Sequence, residues 1–389
     1  MKRVLVIATR QIGDVLLTTP LIQAARQRWP EARVDVLGFA HTLGMLRGNP
    51  DVTELIESPP RLGWWGFWSL ARRLWRAYDL ALVTQPGDRA HLMGFFAAPL
   101  RSGILPASGG SNWWKQRLLV HAVRSEGDTG TVHVVREKLA LLAPWPAVAE
   151  SGSSAASGAP GVVQPVVPPP AAPLPADLLA QLHAGAVVLH VPSMWDYKQW
   201  PVAHFRELAS GLLALGLQVV LTGSAGARDR ACIEPLLDLA PPPRLLDASG
   251  RLDFNQLREL LTRAALYIGP DTSVTHLAAA AGLPVIAIFG PTNPVRWAPW
   301  PAQPGTQALF QRSALVQSVG NVTLLQGELA CVPCSRAGCE DHRHSRSDCL
   351  ISISPERVLE QAKRLLGSAQ GQCVGHRGAG SAGPLVAPP

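Results

Sequence analysis

The sequence predicts an α/β protein of two domains, each a parallel sheet with its helices, facing each other across a cleft. Three observations carry this. Apolar runs of strand length alternate with helical patterns in two series along 389 residues, a length that suits about two domains. A stretch almost devoid of core-forming residues, 147–176, separates the series. The composition, 47% hydrophobic against 16% charged, is that of a packed chain with apolar surface for two full cores.

The first series, 1–146, opens on the strand Val4-Leu5-Val6-Ile7-Ala8. After a short polar loop comes a helical pattern over 14–28, with Val15, Leu16, Leu17, Leu21, Ile22 and Ala25 as its apolar positions. Strands are expected at 33–38 and 80–84, with helical patterns between them, as in a parallel sheet. Within that interval, Trp64, Phe67, Trp68, Leu70, Ala71, Leu74, Trp75 and Tyr78 share one broad helical face, and Gly66, Ser69, Arg72, Arg73 and Arg76 the other; only Trp65 breaks the pattern. Such a face either docks on the domain's own sheet or lies in the interface of an anionic membrane. Trp113-Trp114-Lys115-Gln116-Arg117 adds a second aromatic and basic cluster.

Over 147–176 the chain is nearly all Ala, Ser, Gly, Pro and Val, which reads as a mobile linker or loop. The second series, 177–366, then offers strands at 186–190, 218–222, 266–269 and 284–289, helices at 203–215, 252–265 and 275–281, and a closing helix at 355–366. The tail 367–389, rich in Gly, Ala and Pro, is expected to be disordered.

The 35 Lys and Arg against 28 Asp and Glu, a net charge of +7, favour anionic partners in general. No helix-turn-helix, finger or RNA-binding motif accompanies that charge, so nucleic acid is not expected. The most apolar stretch, 276–289, is broken by Gly282 and Pro284 and falls short of a membrane span. The N-terminal apolar run is too short for a signal-peptide core. Six cysteines in so long a chain do not make a secreted disulfide framework, which points to a reducing, cytosolic setting. Cys331, Cys334, Cys339 and Cys349, with His342 and His344 among them, supply enough soft ligands for a structural zinc site. Their later spacings match no common finger or ribbon, free buried cysteines are ordinary core residues, and no metal is assigned.

Three strand-to-helix junctions hold the chemistry, because backbone amides and the helix dipole converge at such places. The first, Thr9-Arg10-Gln11-Ile12-Gly13-Asp14, has a glycine for a tight backbone and an aspartate that, read alone, fits a helix N-cap. In the second, running from Ser193 to Pro201, Lys198 either neutralises a phosphate or is a surface lysine beside Trp200. The third, Asp271-Thr272-Ser273-Val274-Thr275-His276, gathers hydroxyls and free amides at a helix start and reads as an anion site.

Together these segments resemble glycosyltransferase family 9, the lipopolysaccharide core heptosyltransferases. The resemblance is carried by Asp271 to Ala280 with Gly282-Leu283-Pro284 and Phe289-Gly290-Pro291-Thr292, by Gly13-Asp14-Val15-Leu16-Leu17-Thr18-Thr19-Pro20, and by Lys198-Gln199-Trp200-Pro201. It implies a GT-B fold of two Rossmann-like domains, with the acceptor on the N-terminal one and the nucleotide sugar on the C-terminal one. It implies that Asp14 is the general base and that Lys198 faces the donor diphosphate. Gly13, Ser193, Gly223, Ser224, Asp271, Thr272, Ser273, Val274, Thr275 and His276 would line the donor site. Ser273 stands where many members have glycine, and Asp229 is displaced from the position of the family's ribose-binding acid.

The activity so implied is inverting and metal-independent, needs no cofactor, and moves a heptose-type sugar from a nucleotide diphosphate sugar, ADP-heptose by resemblance, to a lipopolysaccharide or related glycolipid acceptor. The enzyme would be cytoplasmic, touching the anionic inner membrane from its inner face. The rival readings are a GT-B transferase using another nucleotide sugar and a non-catalytic nucleotide-sugar or glycan-binding protein.

Overall fold

The structure, a computed structural model, describes residues 1–59, 61, 63–107, 112–145, 164–303 and 310–374. The first half forms a six-stranded sheet from β1 (Arg3–Ala8), β2 (Arg33–Phe39), β3 (Glu54–Ser58), β4 (Leu80–Val83), β5 (Leu100–Leu105) and β6 (His121–Arg124), in the order β3-β2-β1-β4-β5-β6. Every pair in it is parallel. The second half forms a seven-stranded sheet from β7 (Val187–His190), β8 (Val219–Thr222), β9 (Leu245–Asp247), β10 (Leu266–Pro270), β11 (Val285–Phe289), β12 (Val316–Val319) and β13 (Val322–Gln326). Its order is β12-β13-β11-β10-β7-β8-β9, and only the β12–β13 hairpin is antiparallel.

Central strands β1, β4, β7, β10 and β11 are almost wholly buried. Covered on both faces, they read as unbroken apolar runs, which is why the sequence shows them plainly. In each sheet the chain reverses its direction of winding beside the first strand, between β1 and β4 and again between β7 and β10. A doubly wound sheet opens a crevice at that switch point, beyond the carboxyl ends of its strands.

The expected helix over 14–28 is two helices, Ile12–Leu16 and Thr19–Arg28. Pro20 has no amide to offer the Leu16 carbonyl, and the Thr19 hydroxyl takes that carbonyl instead at 2.8 Å. Thr18 turns its hydroxyl back onto the Asp14 carbonyl at 2.7 Å, closing the break.

The expected mobile linker is corrected in its described part. Residues 147–163 lie outside the described residues, whereas 164–175 is packed. Val166 and Leu174 are buried in one cluster with Leu16 and Leu17 of the first half and Tyr267 and Leu277 of the second. The Val167 amide donates to Thr19 Oγ1 at 2.8 Å, and Asn255 Nδ2 to the Pro170 carbonyl at 2.8 Å. Proline-rich backbone has few amides to satisfy, and these bonds answer one of them and one of its carbonyls. The closing helix also outruns its expected end. It spans Pro355–Val374, so the expected disordered tail begins as helix, and 375–389 lies outside the described residues.

A second junction joins the halves. Segment 125–133, which belongs by sequence to the first half, is held by the second: Asn293 Nδ2 donates to the Asp128 and Gly130 carbonyls at 3.1 and 2.8 Å, and Arg296 to Ser125 Oγ at 2.8 Å. Arg296 also meets Glu137 at 2.7 Å, both side chains buried.

Candidate functional site

Both switch points open into one cavity of about 910 Å³, lined from the first half by Arg10 to Asp14 and from the second by residues following β7, β8 and β10. Its size suits a nucleotide sugar, since ligand pockets fall between about 300 and 1,000 Å³.

On the first wall, Asp14 is the third residue of the helix Ile12–Leu16, whose cap position is Gln11. The N-cap reading is therefore set aside: the carboxylate is free of the capping task and is 12% exposed in the cleft, 3.3 Å from Arg10 Nε. Behind it, the buried Lys138 ammonium donates to the Asp14 carbonyl at 2.6 Å and to Thr18 Oγ1 at 3.0 Å. Burial pushes Lys138 down to about 8, against the pull of Asp14.

On the second wall, Lys198 Nζ lies 2.6 Å from Asp271 Oδ2, an ion pair drawn together from the loops after β7 and β10. Burial alone would lower the ammonium, but Asp271 outweighs it and holds Lys198 above the usual lysine value. Burial alone would raise Asp271, and the charge of Lys198 holds it below the usual carboxylate range. Lys198 keeps 22% of its side chain exposed. It is neither a solvated surface lysine nor a sealed core ion, and an anion in the cleft can reach it.

Thr272, extended, caps the helix Ser273–Ala280 with no side-chain bond to its amides, its hydroxyl lying 3.3 Å from that of Thr275, and Ser273 and Val274 of the first turn line the cavity. His276 lies in the same wall, its Nε2 4.0 Å from Asp271 Oδ1 and its buried Nδ1 without a hydrogen-bond partner. Burial pushes it down to about 4, so it is neutral at physiological pH. The walls touch at Gly13, where a Cβ would come 3.5 Å from His276 Cδ2 and 3.6 Å from Ser273 Cα. The helix bearing Asp14 thus rests directly on the helix that opens the second wall.

The structure gathers Asp14, Gly13, Ser193, Lys198, Gly223, Ser224, Asp271, Thr272, Ser273, Val274 and His276 in the cavity wall. Thr275 is a correction: fully buried, it bonds the Pro270 carbonyl and, at 2.9 Å, the Tyr267 hydroxyl, so it ties the helix to β10 instead of facing the cleft. The displaced acid Asp229 also lines the cavity, accepting from the Ser224 amide at 2.7 Å.

Sequence reasoning missed Lys138, which looks like one more charge on an amphipathic helix. It also missed Ser335, Arg336 and Asp341, through which the cysteine-rich segment forms part of the cavity wall. There the cysteines drew attention to metal chemistry and away from their neighbours. Among the described residues no group of three or more His, Cys, Asp and Glu is placed to hold a metal ion. Cys331 and Cys339 are exposed, Cys334 half-buried and Cys349 buried.

The sequence model of glycosyltransferase family 9 (heptosyltransferase) matches residues 67–316. Lipopolysaccharide heptosyltransferase 3 of Escherichia coli is 28% identical over 303 residues, covering 74% of this chain and 83% of that protein. Lipooligosaccharide heptosyltransferase 2 of Haemophilus influenzae is 24% identical over 376 residues, covering 93% and 99%. Among solved structures, the ADP-heptose LPS heptosyltransferase II of Escherichia coli superposes with a TM-score of 0.67 at 23% identity, covering 95% of this chain and all of that one.

Proposed function

The chain belongs to glycosyltransferase family 9 and has its GT-B fold, and from that membership we propose that it transfers a heptosyl residue from ADP-heptose to a hydroxyl group of the lipopolysaccharide core. The observation that carries the reading is the pairing of Asp14 with the Lys198 and Ser273 wall across one cavity. A glycosyl transfer asks for a base on the acceptor side and positive charge on the leaving-group side.

In the reaction, the Asp14 carboxylate takes the proton of the acceptor hydroxyl as its oxygen bonds to the anomeric carbon. The bond from that carbon to the diphosphate breaks in the same displacement, ADP leaves with the electron pair, and the anomeric configuration inverts. Lys198 and the amides opening the helix Ser273–Ala280 meet the charge that grows on the diphosphate, which makes a divalent cation unnecessary for this step. Arg10, 3.3 Å from Asp14, holds the carboxylate in place.

Because the acceptor is carried by a lipid, the enzyme works at the cytoplasmic face of the inner membrane as a peripheral protein. No helix among the described residues is long and apolar enough to cross a bilayer. The test is a panel of ADP- and UDP-linked sugars offered with a core acceptor, following release of free nucleotide. ADP-heptose should be turned over in an acceptor-dependent way. Turnover of UDP-sugars alone, or acceptor-independent binding without turnover, would overturn the reading.

A further inference from the structure

The helix Trp64–Leu74 divides the apolar face that its sequence displays. Leu70, Ala71 and Leu74 enter the core against β1 and β4, with Tyr78 just beyond the helix, while Trp64 (70% exposed), Trp65 (85%), Trp68 and Trp75 (59%) remain outside. The sheet surface is already shared with the helix Asp88–Ala97, which leaves room for only one narrow stripe of the longer helix.

The excluded rings are not scattered. Trp68 packs on Trp64, Phe67 and Phe96 with centroids 5.5–5.8 Å apart, and Phe96 in turn touches Trp75 and the exposed Phe95. Arg101 lies 5.4 Å over the Phe95 ring and bonds the Leu118 carbonyl, joining this cluster to the helix Trp113–Leu118. There Trp113, 61% exposed, carries the Arg117 guanidinium 5.1 Å over its face.

We propose that this aromatic and cationic surface docks the enzyme on an anionic lipid bilayer, and so serves the lipid-borne acceptor of the function proposed above. Charge selects the occupant. Residues 61–78 contain Arg61, Arg72, Arg73 and Arg76 and no acid, and 112–124 contain Lys115, Arg117 and Arg124 and no acid. Of the neighbouring carboxylates, Glu54 is paired with Arg33 and Arg73, and Asp88 with Lys115. A second copy of the chain meeting this face across a two-fold axis would set arginine against arginine. Anionic headgroups answer that charge, and indole rings favour the boundary between headgroup and acyl chain.

Placement fits the task. Trp64 opens the helix after β3 and Trp113 the helix after β5, both at the carboxyl end of the sheet that also presents Asp14. Lys115 Nζ reaches the Pro86 carbonyl at 2.9 Å beyond β4, so the Trp113 helix borders the switch point itself. A bilayer lying on Trp64 and Trp113 is next to the acceptor side of the cleft, while Trp75, Arg72, Arg73 and Arg76 extend the same surface toward the amino end of the sheet.

The full chain is sedimented with vesicles of phosphatidylcholine, alone or with a quarter phosphatidylglycerol, beside Trp64→Ser/Trp65→Ser and Arg72→Gln/Arg73→Gln/Arg76→Gln variants. The parent should bind the anionic vesicles at least tenfold better than the neutral ones. The tryptophan variant should lose most binding to either, and the arginine variant the anionic preference. Both should bind ADP and turn over a deacylated, water-soluble core acceptor as the parent does. Equal parental binding to both vesicles, or parental binding by the tryptophan variant, overturns the proposal. So does a parental dimer in ultracentrifugation that the tryptophan variant dissolves, since that assigns the face to a second copy. Vesicle binding by a parent that never uses ADP-heptose would sustain this surface while refuting the function.

Discussion

Replacing Lys198 by alanine does more than delete a cation. At 2.6 Å from Asp271 the two charges nearly cancel, and an approaching diphosphate meets the lysine as the more exposed member of a neutral pair. Lys198→Ala leaves the Asp271 carboxylate alone in the wall, facing an anion. One unit of charge at ion-pair distance is worth about 4 kcal/mol at an effective dielectric of about 20. Screening in an open, salted cleft brings this to about 2–3 kcal/mol, or about 30- to 150-fold in the dissociation constant of ADP. Two signatures separate this account from the simple loss of a contact. Unpaired and buried, Asp271 is pushed up in the variant, so its charge should fade and ADP affinity partly recover as pH falls from about 8 to about 6. Lys198→Ala/Asp271→Asn should bind ADP about tenfold better than Lys198→Ala, because the repelling charge has gone. Titration calorimetry at two pH values reads both. A double variant that binds no better than the single one, or a single variant with parental affinity, refutes the reasoning.

Asp14→Asn should keep ADP affinity and lose about 10²- to 10⁴-fold in turnover, since it removes proton acceptance while conserving size; near-parental turnover with a confirmed acceptor would take the base role from Asp14. Incubation with EDTA should leave the rate intact, and a loss restored by Mg²⁺ or Mn²⁺ would contradict the role given to Lys198 and the helix start. Burial pushes His133 to about 3 and both His190 and His276 to about 4. All three are therefore neutral in the folded protein while the unfolded chain protonates below about 6.5. Their contribution is whole above that value and is lost as pH falls through the window between it and their folded values. At about pH 5 each costs about 2 kcal/mol, about 6 together, so the urea midpoint should drop well before the carboxylates titrate, and a midpoint flat from about pH 7.5 to about pH 5 would sink the account.

The sequence displays best what is buried on two faces. β1 beyond Arg3, β7 up to His190, β10 and β11 are apolar and stand out at once, while β3, with Glu54, Glu57 and Ser58, and the short β9 do not. β3, at one sheet edge, is partly open to solvent and loses the apolar signature, while β9, at the edge of the other sheet, keeps Leu245 and Leu246 buried but is only three residues long. The site follows the same logic. Gly13, Asp14 and the run from Asp271 to His276 follow strands that the sequence shows, so their meeting at two switch points was legible. Lys138 was not, because what makes it unusual is burial against Asp14 from 124 residues away. The division of the Trp64–Leu74 face was equally hidden, since periodicity reports which residues share a side and says nothing of how much of that side a neighbouring helix leaves free.

The hold of the second half on segment 125–133 bears on how members of such a family exchange parts. A crossover anywhere in 147–163 would leave both parallel sheets whole, and by sheet topology alone it is the obvious place to splice two relatives. It would also give Asn293 and Arg296 a foreign loop and leave Glu137 facing whatever residue the new half supplies. A buried carboxylate deprived of its arginine costs about 3–5 kcal/mol, a large part of the stability of an ordinary domain. Hybrids that carry 125–142 together with the second half keep the junction intact. The inheritable module is thus offset from the architectural one, and a recombination library cut at the linker would be poor in folded chimeras for a reason that neither half shows by itself.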